Sequence, residues 1–232
     1  YFFPRIAVID DIDGWNRWEY SGTAEFYNDF GNFDVTVEVP ADYFVWATGE
    51  WQNPEQILQD EFLQKYILAS GSDEVIRIVT EKDLPYKNVL KPGDYRRWKY
   101  KAQNVTDFAF GASDHYLWDA TSLVVDSVTG RRVLVDAAYH PASGDFYRVA
   151  AIARESIGLM SDYFPAIAFP YPKMTVFNGL SEMEYPMMVN DISLPDISET
   201  IKLTAHEIFH TYFPFYTGLN ETKYAWMDEG IT

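Results

Sequence analysis

A chain of 232 residues that is 47% apolar can bury a sizeable core as one large or two ordinary domains. A net charge of -17 without a basic cluster argues against a nucleic-acid or anionic-membrane surface. The lack of Cys rules out disulfides and thiolate metal sites, so any metal must be held by His and carboxylate. No apolar run is long enough to span a membrane and no secretory leader is recognisable, which leaves the compartment open. A first residue other than Met and a last residue at Thr232 suggest a piece of a longer protein.

Residues 1–136 read as β-structure. The clearest strand is 33–39, where Phe33, Val35, Val37 and Val39 alternate with polar residues before Pro40, so that one face is core and the other wet. Further short strands are predicted at 19–27, 44–46, 75–79, 97–102, 121–126 and 132–138, separated by turn signals such as Asp13-Gly14, Pro92-Gly93-Asp94 and Thr129-Gly130. Many short strands in a chain with 17 Tyr, 16 Phe and 7 Trp argue for an antiparallel sandwich or saddle of sheets. The exception is 54–69, predicted as a helix with Leu58, Phe62 and Tyr66 on one side.

The pattern changes after His140. Phe146, Ala150, Ala153, Ile157, Met160 and Phe164 draw one helical stripe, with Ser143 as N-cap and Asp145 in the first turn, and Pro165 ends it. Strands are predicted at 173–177 and 184–189, followed by a second helix that Ser198 or Thr200 caps and Pro214 ends. The expected fold class is therefore α+β, an N-terminal antiparallel β-domain over 1–136 followed by helix, strand, strand and helix over 137–232, an order like that of the zincins.

The second helix carries His206-Glu207-Ile208-Phe209-His210. Residues four apart on a helix differ by about 400° of rotation and about 6 Å of rise, so the two imidazoles leave one face one turn apart, the spacing that a single zinc ion needs. Glu207 is turned about 100° from His206, beside a metal and not at it, where its carboxylate can take a proton from water. Two His supply two ligands, and Glu229, 18 residues after His210, is the candidate for the third.

About two dozen residues before the motif lies Ser181-Glu182-Met183-Glu184-Tyr185-Pro186. A Met-Glu pair there, H-E-x-x-H, and a third ligand in Trp226-Met227-Asp228-Glu229-Gly230 together resemble the gluzincin zinc aminopeptidases of the aminopeptidase N and leukotriene hydrolase type. The resemblance implies a later part of the family's saddle-shaped β-domain at 1–136 and the first part of a thermolysin-like catalytic domain at 137–232. It implies Zn²⁺ on His206, His210 and Glu229, with Glu207 as general base. It further implies that Met183 and Glu184 bind a peptide with a free N-terminus, Glu184 holding its α-amine. Ser181, Tyr185 and Asp228 depart from the family's Gly, Asn and Asn. The family's oxyanion-stabilising Tyr would lie beyond Thr232, so this piece alone is expected to bind zinc weakly and hydrolyse little. The rival readings are a thermolysin-type endopeptidase and a catalytically incomplete binding or structural module.

Overall fold

The computed structural model describes residues 3–19 and 25–232. A two-residue hairpin, β1 (Ile9–Asp10) and β2 (Gly14–Trp15), turns at Asp13-Gly14. β3 (Gly31–Pro40), β4 (Phe44–Ala47) and β5 (Glu50–Trp51) lead to the short helices α1 (Pro54–Ile57) and α2 (Asp60–Ser70). β6 (Ile76–Val79), β7 (Tyr95–Val105), β8 (Phe110–Ser113), β9 (Leu117–Asp126) and β10 (Arg131–Tyr139) complete the β-rich part. Then come α3 (Val149–Asp162), β11 (Lys173–Asn178), β12 (Met183–Tyr185), β13 (Met188–Asp191), α4 (Ile197–Phe209) and α5 (Glu221–Asp228).

The fold is α+β, as expected. β3, β7 and β5 form an antiparallel three-stranded sheet, β4 pairs antiparallel with β8, and a mixed six-stranded sheet runs β12-β13-β11-β10-β9-β6. β11 is parallel to both β10 and β13, because α3 and the β12 hairpin supply the connections that parallel pairing requires. This large sheet passes through residue 136, so both halves of the sequence share it. Among the described residues no helix is long and apolar enough to cross a membrane.

Two cores follow from this layering. One side of the molecule is aromatic: the ring of Phe44 lies 4.5–5.9 Å from those of Trp46, Trp51, Tyr86, Trp98 and Trp118. On the other, α3 packs against α4 and β9. Its predicted stripe is buried from Phe146 to Met160, but Phe164 falls beyond the helix end and is 66% exposed.

Local chemistry shifts several boundaries. The predicted helix 54–69 is broken at Leu58, whose extended backbone (ψ 142°) bridges to Leu90 and buries its side chain. Ser143 does not cap α3: its hydroxyl donates to Asn178 Oδ1, while Asp145 accepts from Ser193, Leu194 N and Thr200 and so ties the start of this region to the loop before α4. The predicted strand 184–189 is a hairpin, β12 and β13, turning at Met187 with φ 65°. Asp196, not Ser198 or Thr200, caps α4 by accepting from Ser198 N. In the predicted strand 19–27, residues 20–24 lie outside the described residues and 25–27 are not strand.

The β12 hairpin, which carries Glu184, is fixed from both sides. A Cβ on Gly179 would sit 1.7 Å from Asn190 Oδ1, so only glycine lets Asn190 close the turn by donating to Ser181 O at 2.6 Å. From the β-rich part, buried Thr48 Oγ1 donates to Pro186 O at 2.9 Å.

Candidate metal centre

α4 owes its position to polar as well as apolar contacts. Ile208 and Phe209 are buried in the core, and on the facing strand Asp191, 1% exposed, accepts from Thr204 Oγ1 at 2.8 Å. Burial pushes the Asp191 carboxyl up to about 7, with the Thr204 hydroxyl acting in the opposite direction. α4 ends at Phe209, before the predicted stop at Pro214. His210 keeps helical backbone angles, its N–H still bonds His206 O, and residues 211–216 continue as a wider turn around Pro214. The pair of His residues therefore retains its one-turn spacing.

The donor atoms of His206, His210 and Glu229 converge. The two Nε2 atoms are 3.3 Å apart, and Glu229 Oε2 lies 3.5 Å from that of His206 and 4.0 Å from that of His210. Donors held about 2.0–2.1 Å from a tetrahedral zinc are about 3.3–3.4 Å from each other, so this triangle fits the ion with small adjustment of one leg. The His210 side chain is 1% exposed, whereas that of Glu229, at the C-terminal cap of α5, is 53% exposed.

The far side of His210 is equally built. Its Nδ1 lies 2.6 Å from Asp228 Oδ1, 3.1 Å from Phe213 O and 3.9 Å from Glu184 Oε1. These acceptors keep a proton on Nδ1 and turn the Nε2 lone pair toward His206 and Glu229, the outer-sphere arrangement that orients a metal-binding imidazole. Asp228, fully buried, was visible in the sequence only as a departure from the family's Asn. Burial lowers the proton affinity of His210, but Asp228 and Glu184 outweigh it and bring the imidazole up to about 9. Asp228→Ala is expected to weaken zinc binding about 10–100-fold in a chelator competition, with far-ultraviolet circular dichroism unchanged. Unaltered affinity would remove Asp228 from the site.

Glu207, 4% exposed, has no hydrogen-bond partner for Oε2 among the described residues. Burial and the nearby Glu184 and Asp191 carboxylates push it up to about 9. Glu184 on β12 is 5% exposed, and burial brings it up to about 7 against the opposing charge of His210. Met183 beside it is half-buried. Two carboxylates without a sequence signal join Glu184: oxygens of Glu25 and Glu221 lie within 4.8 Å of it and of each other. Among 35 acidic residues neither stood out, since only the fold brings residue 25 to residue 184. Glu221 is 8% exposed and burial, reinforced by Asp228 and Glu184, pushes it up to about 10.

No family model matches this chain, and no curated protein matches it. Among solved structures that do match is an M1 zinc metallopeptidase from Deinococcus radiodurans, with a TM-score of 0.54 at 16% identity. The match covers 88% of this chain and 39% of that one, so the chain spans well under half the length of its structural neighbour. At this identity the likeness is one of fold.

Proposed function

We propose that this chain is part of a zinc-dependent aminopeptidase, which hydrolyses the N-terminal bond of peptides. The observation that carries the reading is the triangle of His206, His210 and Glu229 with a buried, hydrogen-bond-poor Glu207 next to it in sequence. The fold it shares with a zinc metallopeptidase agrees with this. In this reading 1–136 is the later part of a β-domain and 137–232 the first part of the catalytic domain, the two sharing one sheet.

Zinc on these three residues supplies Lewis acidity toward water and the scissile carbonyl. Glu207 accepts the proton of the attacking water and passes it to the leaving amine. Glu184, on the hairpin edge, accepts the substrate's free ammonium, with Met183 alongside. Oxygens of Glu25 and Glu221, within 4.8 Å of one of Glu184, offer further acceptors for that ammonium. Anchoring the ammonium sets the register so that the first peptide bond alone meets the metal.

The deciding experiment compares free and N-acetylated forms of one peptide, with the longer enzyme of which this chain is proposed to be part and its Glu184→Ala variant. An aminopeptidase cuts only the free form, and the substitution raises its KM by about tenfold or more. Efficient cleavage of the acetylated peptide would identify a thermolysin-type endopeptidase instead. An equal loss on both forms would remove Glu184 from amine recognition.

A further inference from the structure

Away from the metal centre, the aromatic core is not closed. Between β4, β5, α2 and the β10–β11 pair lies a cavity of about 260 Å³. That is far above the roughly 10–15 Å³ that admits one water and approaches the lower end of ligand sites. Phe44, Trp51, Tyr66 and Trp118 form its apolar walls.

Its polar groups are unusual. Asp136 is 2% exposed and its Oδ1 has no hydrogen-bond partner among the described residues. Lys173, 7% exposed, donates to Ala47 O at 3.0 Å, which leaves two of its three donors open. No salt bridge joins the two, although each feels the other's charge, and the Glu50 carboxylate acts on Lys173 as well. Burial drives both toward neutrality, lowering Lys173 and raising Asp136. A buried cation and a buried anion that face one cavity without touching call for a polar group between them.

The charge balance indicates which kind. Arg132 at the cavity wall is already engaged by Asp73, which leaves one ammonium, Lys173, and two carboxylates, Asp136 and Glu50. A lone anion would gain Lys173 and be repelled by both carboxylates, and a lone cation would gain the carboxylates but leave the remaining donors of Lys173 open and be repelled by it, whereas a molecule with both charges meets all three groups. The aromatic walls suit an apolar side chain and, around an ammonium, the faces of their rings.

We propose that this cavity binds a compact zwitterion with an apolar side chain, of the free α-amino acid class, its carboxylate on Lys173 and its ammonium between Asp136 and Glu50. The site is independent of the zinc triangle and of the peptidase reading. It is tested by adding L-leucine to the ¹⁵N-labelled, metal-free chain and following amide resonances by NMR. Saturable shifts are expected at Glu50, Trp51 and Lys173 and not at Glu184. N-acetyl-L-leucine and L-leucinamide, which each lack one charge, should bind about tenfold more weakly or worse. Glu50→Gln, at the exposed rim, should weaken L-leucine several-fold without disturbing the fold, and Asp136→Asn should abolish the shifts. Absence of saturation up to about 10 mM L-leucine would overturn the proposal and leave a solvent-bridged structural ion pair. So would equal binding of the blocked derivatives, a comparison that needs no variant.

Discussion

In the longer enzyme of which this chain is proposed to be part, replacing Glu207 with Gln is expected to lower kcat on free peptides by about 10²–10⁴-fold while zinc content stays unchanged. The substitution preserves shape and removes only the capacity to take a proton, and Glu207 is not among the three converging donors. Its environment sharpens the expectation. Burial together with Glu184 and Asp191 holds the metal-free carboxyl up to about 9, so at neutral pH it is protonated and useless as a base. On the proposed reading, zinc at the neighbouring triangle would favour the ionised form and so couple the competence of the base to occupancy of the site. Activity assays on the two proteins, with zinc measured by atomic absorption, give the answer. A parallel loss of zinc and of activity would make Glu207 a ligand or a fold element and remove it as the base.

The second large effect is on stability. Saturating zinc should raise the melting temperature, because an ion that binds only the folded state at about 100 times its dissociation constant adds about 2.7 kcal/mol. For a chain of this size that is a rise of about 5–10 °C, and His210→Ala should remove all of it. In the proposed site a metal and a proton would compete for His210, whose imidazole stands at about 9. Zinc binding therefore releases a proton, and affinity should climb as pH rises from about 6 to about 9. The same linkage gives the metal-free protein the opposite trend. Asp191, at about 7, and Glu221, at about 10, are raised above their usual values, so the stability that their protonated forms contribute is complete below about pH 4 and is lost as pH rises through those values. Differential scanning fluorimetry with and without zinc across this range separates the two. A zinc-induced rise that survives in His210→Ala would place the stabilising ion elsewhere.

How much of this was legible in the sequence depends on range. His206, Glu207 and His210 are written within one helical turn, where the 3.6-residue period does the placing, and β3 announces itself by strict alternation. Glu229 and Glu184 required a family pattern, because nothing local says that a loop and a hairpin edge will meet the same helix. Asp228, Glu25 and Glu221 gave no usable signal: their roles arise from burial and from partners up to about 200 residues away, in a chain where acid is common. The boundaries that moved did so through competing local bonds. Ser143 found Asn178, Asp145 found the loop before α4, and Leu58 found Leu90, each a tertiary partner that outbid a helical position. The aromatic surplus did foretell a ring-packed core, but not that the core would contain a charged hollow.

The short helix α5, which carries Asp228 and Glu229, makes little core of its own and is stitched to the opening stretch of the chain. Thr222 Oγ1 donates to Glu25 O at 2.7 Å, and Lys223 pairs with Asp13 at 2.7 Å. These contacts join residues separated by 197 and 210 positions. His206 and His210 can be paired as soon as α4 winds, but the third corner of the triangle waits for an encounter across 210 positions, the longest-range ion pair among the described residues. On the proposed reading, metal capture would report on the completion of folding, since a chain whose opening stretch has not docked would present two ligands and not three.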